Sequence, residues 1–328
     1  MTIGRLLPIA VAMLMLAMAL PTQAAAPVPP PIPVIVDTDI GDDIDDAFAL
    51  TLALSDPRLD VIGVTTAWGD TRTRVLLTRR LLAAMGRNDV PVAQGITTKG
   101  ATVFTQKRWA LGATDVSPAP DAVDFIRAQT ARRPGKITLI ELAPMTNLQA
   151  LIQRDPRAYR RLKQVAAMGG SIERGYGDVG ATPLNHPSPE YNIASAPSAF
   201  AAVLAQAYAV PLRLFPLDST QIRFDEARRD RLFAYSSPTS DALTLLYHQW
   251  RVLNPFHQVD PTLFDVVPAA WLIDPSLCAL TPMHVSVDAM GFTRADASAP
   301  PNAQVCLTSP GERVSDVVLS HLAPEPAP

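Results

Sequence analysis

The chain has 328 residues, 48% of them hydrophobic and 18% charged, with a formal net charge of -3. A chain of that length can bury a full core without disulfide or metal staples, and its lack of basic excess argues against a nucleic-acid partner. Its two cysteines, Cys278 and Cys306, are too few for a disulfide framework or a cysteine-ligated zinc site.

Arg5 precedes an apolar run from Leu6 to Leu20, followed by Pro21 and small residues through Ala26. A basic start, a short apolar stretch and a small-residue exit predict a secretory signal peptide over residues 1–24, cleaved after Ala24. The run is shorter than the roughly 20 residues a bilayer core requires. Loss of Arg5 leaves 27 basic against 31 acidic groups, net -4. No later stretch is apolar and long enough to span a membrane, so a periplasmic or secreted location is expected, with no membrane attachment after cleavage. In an oxidising compartment Cys278 and Cys306 either pair or remain as buried thiols. Residues 25–33 form a proline-rich lead-in and 323–328 a similar tail. Between them, 34–322 reads as a single domain, without repeats or a flexible linker.

Apolar runs at Val34–Val36, Val61–Thr66, Ile137–Leu142, Gln164–Met168 and Val210–Phe215 predict strands. Helical segments are expected at Ala47–Ala53, Thr71–Met85, Asp121–Gln129, from Thr146, and at Ala196–Ala207. Segment 293–303, polar and proline-bearing, reads as a loop. This alternation predicts an α/β fold, a mostly parallel open sheet with helices on both faces. Ligands in such folds bind outside the carboxyl ends of the strands.

After the first strand the sequence runs Asp37-Thr38-Asp39-Ile40-Gly41-Asp42-Asp43-Ile44-Asp45-Asp46-Ala47, with six aspartates. That many carboxylates repel one another unless a cation sits among them, and a hard cation takes oxygen ligands. A solvated acidic loop with Asp45 as helix cap accounts for one or two of them, not six. An EF-hand beginning at Asp37 fails, because its sixth and twelfth positions hold Asp42 and Phe48. A haloacid dehalogenase-type phosphatase would share the strand and Asp-x-Asp. It fits poorly, because Gly41 stands two positions after the second aspartate and Asp45-Asp46 follow at once.

Asp37-Thr38-Asp39-Ile40-Gly41 with Asp45-Asp46-Ala47 resembles the N-terminal signature of the inosine-uridine preferring nucleoside hydrolases, with a longer loop holding Asp42 and Asp43. The resemblance continues through Val64–Asp70, Thr138–Asn147, Met168-Gly169-Gly170, Pro189–Ile193 and Phe264-Asp265, and closes at His284–Val287 and Val314–Leu322. It implies the nucleoside hydrolase fold and hydrolysis of a ribonucleoside's N-glycosidic bond, giving base and ribose. By this match calcium is the cofactor, held by Asp39, Asp46, Asp265 and the Leu142 carbonyl. Asp39 is also the expected general base, activating a water on the metal. Asp45, Asp70, Glu190 and Asn192 are expected to grip ribose hydroxyls, with Asp70 where asparagine is common. Asp43 is a further candidate ligand, and Asp37 is expected to orient the loop. Homo-oligomers occur in the family.

Such chemistry builds positive charge on the ribose while the base departs with electrons, so it calls for a water nucleophile, surrounding negative charge and help for the leaving base. Phe264 stands where histidine is common and donates no proton. His186, Tyr247, His248, Arg251 and His257 are the alternative leaving-group candidates by chain position, and Trp109 and Trp250 are either base-stacking or core residues. A second reading keeps the metal and ribose site as an exported binding protein without efficient catalysis. The phosphatase reading stands third.

Overall fold

The computed structural model describes residues 1, 29–100, 102–177 and 183–325. The expected signal peptide therefore lies almost wholly outside the described residues. Among the described residues ten strands form: β1 (Ile32–Thr38), β2 (Leu59–Thr66), β3 (Val92–Gln94), β4 (Thr138–Glu141), β5 (Gln164–Met168), β6 (Leu212–Phe215), β7 (Leu280–Met283), β8 (Val285–Val287), β9 (Thr293–Ala295) and β10 (Ala303–Cys306). Eight of them build one sheet in the order β3-β2-β1-β4-β5-β6-β10-β7. Its pairings are parallel except for β7, which runs antiparallel to β10.

Strand β1 is buried from Val34 onward, and its side chains alternate between two cores, as a doubly covered strand requires. Val34 and Val36 join a core with Phe48, Leu243 and Val266, whereas Ile35 joins one with Ile126, Leu148 and Phe200. Helices Asp45–Ser55, Thr71–Ala84, Pro238–Leu253, Val266–Ile273 and Gly311–Leu322 cover the first face. Helices Ala122–Arg132, Thr146–Arg154 and Pro197–Leu204 cover the second.

The strand order reverses at β1, with β2 and β3 on one side and β4, β5 and β6 on the other. A crevice opens at the carboxyl ends of strands where order reverses, and the aspartate-rich loop leaves β1 there. Leu142 follows β4 directly, and its N–H donates to the Asp37 carbonyl at 2.9 Å. Two sequence signals 105 residues apart, Asp37 and Leu142, are thus joined by one extra rung of the parallel ladder.

Three expectations change near the C-terminus. Val285–Val287 pairs with β9 in a separate two-stranded sheet, and the main sheet is completed by β10 and β7. Segment 293–303 is not all loop: it holds β9 and the first residue of β10. The polar β9 lacked apolar alternation, yet buried Thr293 fixes it, exchanging hydrogen bonds of 2.8 Å with Ser171 N–H and C=O. The tail begins as structure, with Ala323 buried and its carbonyl accepting from Arg231. Of the two readings for the cysteines, pairing holds: Cys278 and Cys306 form a disulfide with Cα atoms 5.9 Å apart. Among the described residues no helix is long and apolar enough to cross a membrane.

Candidate active site

A cavity of about 710 Å³ opens at the reversal point, outside the ends of β1, β4 and β5. Asp39, Asp45, Asp46, Asp265, Glu190 and Asn192 line it, and so do Leu142 and Asp43. Asp265 lies 219 or more positions beyond the loop aspartates, so the fold alone brings them together. The Asp265 N–H donates to Asp45 Oδ2 at 3.3 Å.

Local structure sets each carboxylate. Asp45 and Asp46 open helix Asp45–Ser55, where the positive end of the helix dipole favours acids. Thr38 Oγ1 donates to Asp46 Oδ1 at 2.5 Å. Carboxylate oxygens of Asp45, Asp46 and Asp265 lie within 4.8 Å of one another, all three buried. That trio differs from the expected metal set: Asp45, assigned to ribose, is in it, whereas Asp39 lines the cavity outside it.

Burial pushes Asp39, Asp45 and Asp265 well above the usual carboxylate range, and the mutual repulsion of neighbouring carboxylates adds to the rise. Asp46 is raised to about 7 and Asp43 to about 6, again chiefly by burial. Buried acids with close oxygens and so little opposing charge make a fitting seat for a hard divalent cation. Leu142 also lines the cavity, and its carbonyl accepts one hydrogen bond from Asn192 Nδ2 at 3.0 Å.

Glu190 caps the short helix Tyr191–Ser195. It accepts from the N–H groups of Asn192 (2.8 Å), Gly170 (2.9 Å) and Ile193 (3.1 Å). Burial raises it to about 7 against those three donors. The capping fixes Asn192 at the cavity wall, where its amide reaches the ends of β4 and β5 through Leu142 and Met168.

Asp70, expected at the ribose, lies elsewhere, and Asp37, expected to orient the loop, is off the cavity wall. Asp70 is exposed and absent from the cavity lining, because its carboxylate caps helix Thr71–Ala84 through the Thr73 N–H and hydroxyl. Asp37 is buried beneath the cavity. Its Oδ1 accepts from Thr65 (2.5 Å) and from Asn147 (2.8 Å), which ties together the ends of β1 and β2 and the start of helix Thr146–Arg154.

None of the leaving-group candidates by chain position lines the cavity: His186, His248 and His257 are exposed, Tyr247 donates to the Val259 carbonyl, and Arg251 lies outside it. Trp250 does line it, while Trp109 is a core residue under Arg80. Phe264 packs edge-on against Tyr176, with ring centroids 6.1 Å apart.

Sequence reading missed Arg74, Thr102, Tyr176 and Tyr191. Arg74 is the built-in cation of the loop. Its Nε donates to the Trp68 carbonyl (2.8 Å), Nη1 to the carbonyls of Asp39 and Ile40, and Nη2 to Asp42 Oδ2 (2.9 Å). A buried arginine amid apolar helix positions was the available signal, but only the fold shows which carboxylate it meets.

Residues 34–316 match the model of the family described as inosine-uridine preferring nucleoside hydrolase. The chain belongs to that family. It is 27% identical over 274 residues to a pyrimidine-specific ribonucleoside hydrolase of Citrobacter koseri, covering 75% of this chain and 81% of that one. A non-specific ribonucleoside hydrolase of Salmonella paratyphi A is 27% identical over 301 residues, 85% and 94% of the two chains. A probable uridine nucleosidase of Arabidopsis thaliana is 35% identical over 153 residues, 42% of this chain and 47% of that one. Among solved structures, a plant nucleoside hydrolase superposes with a TM-score of 0.76 at 26% identity, covering 90% of this chain and all of that one. Family and relatives place the chain among enzymes that hydrolyse ribonucleosides. The phosphatase alternative falls with this match.

Proposed function

We propose that the protein is a calcium-dependent ribonucleoside hydrolase that releases base and ribose, with Asp39 as general base. The observation that carries the reading is the meeting of Asp45, Asp46 and Asp265 within 4.8 Å at the end of a cavity that Asp39, Glu190 and Asn192 also line. Asp45, Asp46, Asp265 and the Leu142 carbonyl are the proposed cation ligands, with Asp39 and Asp43 beside them. Oxygen donors alone, most of them anionic, suit calcium better than a softer metal. When bound, the cation offsets the clustered negative charge, makes water more acidic and orients sugar hydroxyls.

The chain's residues supply the rest. Asp39 takes a proton from the water that attacks C1′. The C1′–N bond breaks, and its electron pair leaves with the base, which takes a proton from solvent at the cavity mouth. Glu190 and Asn192 hold ribose hydroxyls, fixing C1′ relative to Asp39. The anionic wall favours the positive charge that grows on the ribose.

Ribose release from uridine and inosine, with calcium and with a chelator, tests the reading. Calcium-dependent release supports it. Calcium-dependent binding without release supports the binding-protein alternative instead. Export to the periplasm or medium is proposed from the N-terminal pattern together with the Cys278–Cys306 bond, which suits an oxidising compartment. N-terminal sequencing of the chain recovered outside the cytoplasm, expected to begin at Ala25, tests that.

A further inference from the structure

The longer loop has a consequence on the far wall of the cavity. Asp42 Oδ2 receives both Arg74 Nη2 at 2.9 Å and Thr102 Oγ1 at 2.5 Å. Thr102 Oγ1 lies in turn 2.8 Å from Tyr191 Oη. Asp42 and Thr102 are 60 positions apart and Thr102 and Tyr191 are 89 apart, so this is a tertiary chain of four side chains: Arg74, Asp42, Thr102, Tyr191.

Hydrogen-bond bookkeeping gives the chain a direction. A carboxylate paired with a guanidinium only accepts, so Thr102 spends its one hydroxyl hydrogen on Asp42. Thr102 then offers only a lone pair to its other neighbour, and the Tyr191 phenol must donate to it. The root of Tyr191 is fixed as well, because its N–H donates to Tyr176 Oη at 2.9 Å and its helix is capped by Glu190. Thr102 and Tyr191 both line the cavity, and Thr102 and its neighbour Val103 are exposed. The acidic trio and Leu142 are buried. The phenol oxygen therefore faces the mouth side of the cavity.

We propose that Tyr191 is a specificity-determining residue whose phenolic oxygen acts only as an acceptor, its proton held by Thr102, Asp42 and Arg74, so that it selects a hydrogen-bond donor of the nucleoside. That donor is either the 5′-hydroxyl or a base N–H. Arg74, Asp42 and Thr102 are positioning residues for it. The inference rests on the nucleoside site proposed above.

Binding of C-nucleosides tests it, because their carbon–carbon glycosidic bond is not a substrate and affinity is read without turnover. Pseudouridine, its 5′-deoxy form and its 1-methyl and 3-methyl forms are titrated calorimetrically, with calcium, into the full chain and into Tyr191→Phe, Thr102→Val and Thr102→Ser. Tyr191→Phe is expected to weaken pseudouridine binding by about three- to tenfold, the scale of one hydrogen bond. Thr102→Val is expected to do the same, and Thr102→Ser to restore wild-type affinity. The effect should vanish for one analogue only: the 5′-deoxy form if the donor is the hydroxyl, a methylated form if it is that base N–H. Equal loss for every analogue, no loss for any, or wild-type protein that binds none of them overturns the inference. Ribose release from uridine by the wild type is scored separately. Its absence sinks the hydrolase reading while the binding comparison still decides the role of Tyr191.

Discussion

The guanidinium of Arg74 lies 2.9 Å from the Asp42 carboxylate, and their side chains are only 2% and 13% exposed. The same arginine binds the carbonyls of Asp39 and Ile40 and stacks 5.0 Å from the Phe104 ring centroid. Arg74 therefore offsets part of the acidic loop's charge and also fixes the path of the backbone that carries Asp39. Arg74→Met would leave Asp42 without its cation and the carbonyls of Trp68, Asp39 and Ile40 without this donor. Removing one member of a buried ion pair costs about 3–5 kcal/mol. Urea unfolding is expected to show a loss on that scale, with Arg74→Lys intermediate because one ammonium cannot reproduce the guanidinium fork.

Asp39→Asn keeps the shape of the side chain and removes the proposed base. Turnover is expected to fall by about 10²- to 10⁴-fold, the usual contribution of a positioned general base. Stability should hold or rise, since burial and Asp46 both oppose charge on Asp39. Steady-state ribose release and a thermal melt on the same preparation check both halves. Full activity in this variant would remove Asp39 from its role.

Much of this site was legible in the sequence because the aspartate loop is local. A strand end, a glycine and an Asp-Asp helix start lie within 11 residues, and their chemistry depends little on the rest of the chain. The five predicted strands occur where apolar runs placed them, since strands buried on both faces read as unbroken apolar sequence. What stayed hidden depends on tertiary contact. Strand β3 has three residues, and β9 is held by Thr293 and Ser171 rather than by an apolar pattern. Asp70 has the chemistry of a sugar-binding acid, but capping Thr73 satisfies it locally. Thr102 lies in no motif and Tyr191 had no role within its own; only the chain from Asp42 through Thr102 gives them one.

Gly41 is a second backbone constraint on the loop. Its φ of +126° is costly for any residue with a side chain, and an added Cβ would clash with the Phe104 ring edge at Cε2. Gly41→Ala is expected to lower stability by about 1–3 kcal/mol, the cost of a strained backbone conformation, and to weaken cation binding through the displaced loop. Phe104→Ala added to it removes the clash but not the strain, so recovery should be partial. Denaturant midpoints of the single and double variants separate the two contributions.

The disulfide closes a loop of sequence separation 28 at the edge of the sheet, next to the antiparallel pairing of β7 with β10. Chain-entropy arguments assign such a loop about 3–4 kcal/mol. The Cys278→Ser/Cys306→Ser double variant is expected to lose stability on that scale. The site lies on β1, β4 and β5, away from the edge that β7 forms, so KM should be unchanged at temperatures where the variant is folded.

Stability and cation binding should be linked through pH. In the cation-free protein burial lifts Asp46 and Glu190 to about 7 and Asp43 to about 6, above the ordinary carboxylate values they hold when unfolded. Between those limits the folded state binds more protons than the unfolded state, so stability falls as pH rises. The contribution is fully present below the unfolded values, near pH 4, and is lost as pH passes through about 6 to 7. A divalent cation would take the deprotonated form, so affinity for the proposed calcium should climb over the same window. Thermal melts in chelator are expected to drop in midpoint from pH 5 to pH 8, and excess calcium should shrink or reverse that slope. A chelated protein whose midpoint is flat across the range would show that these carboxylates are not carrying protons in the folded state.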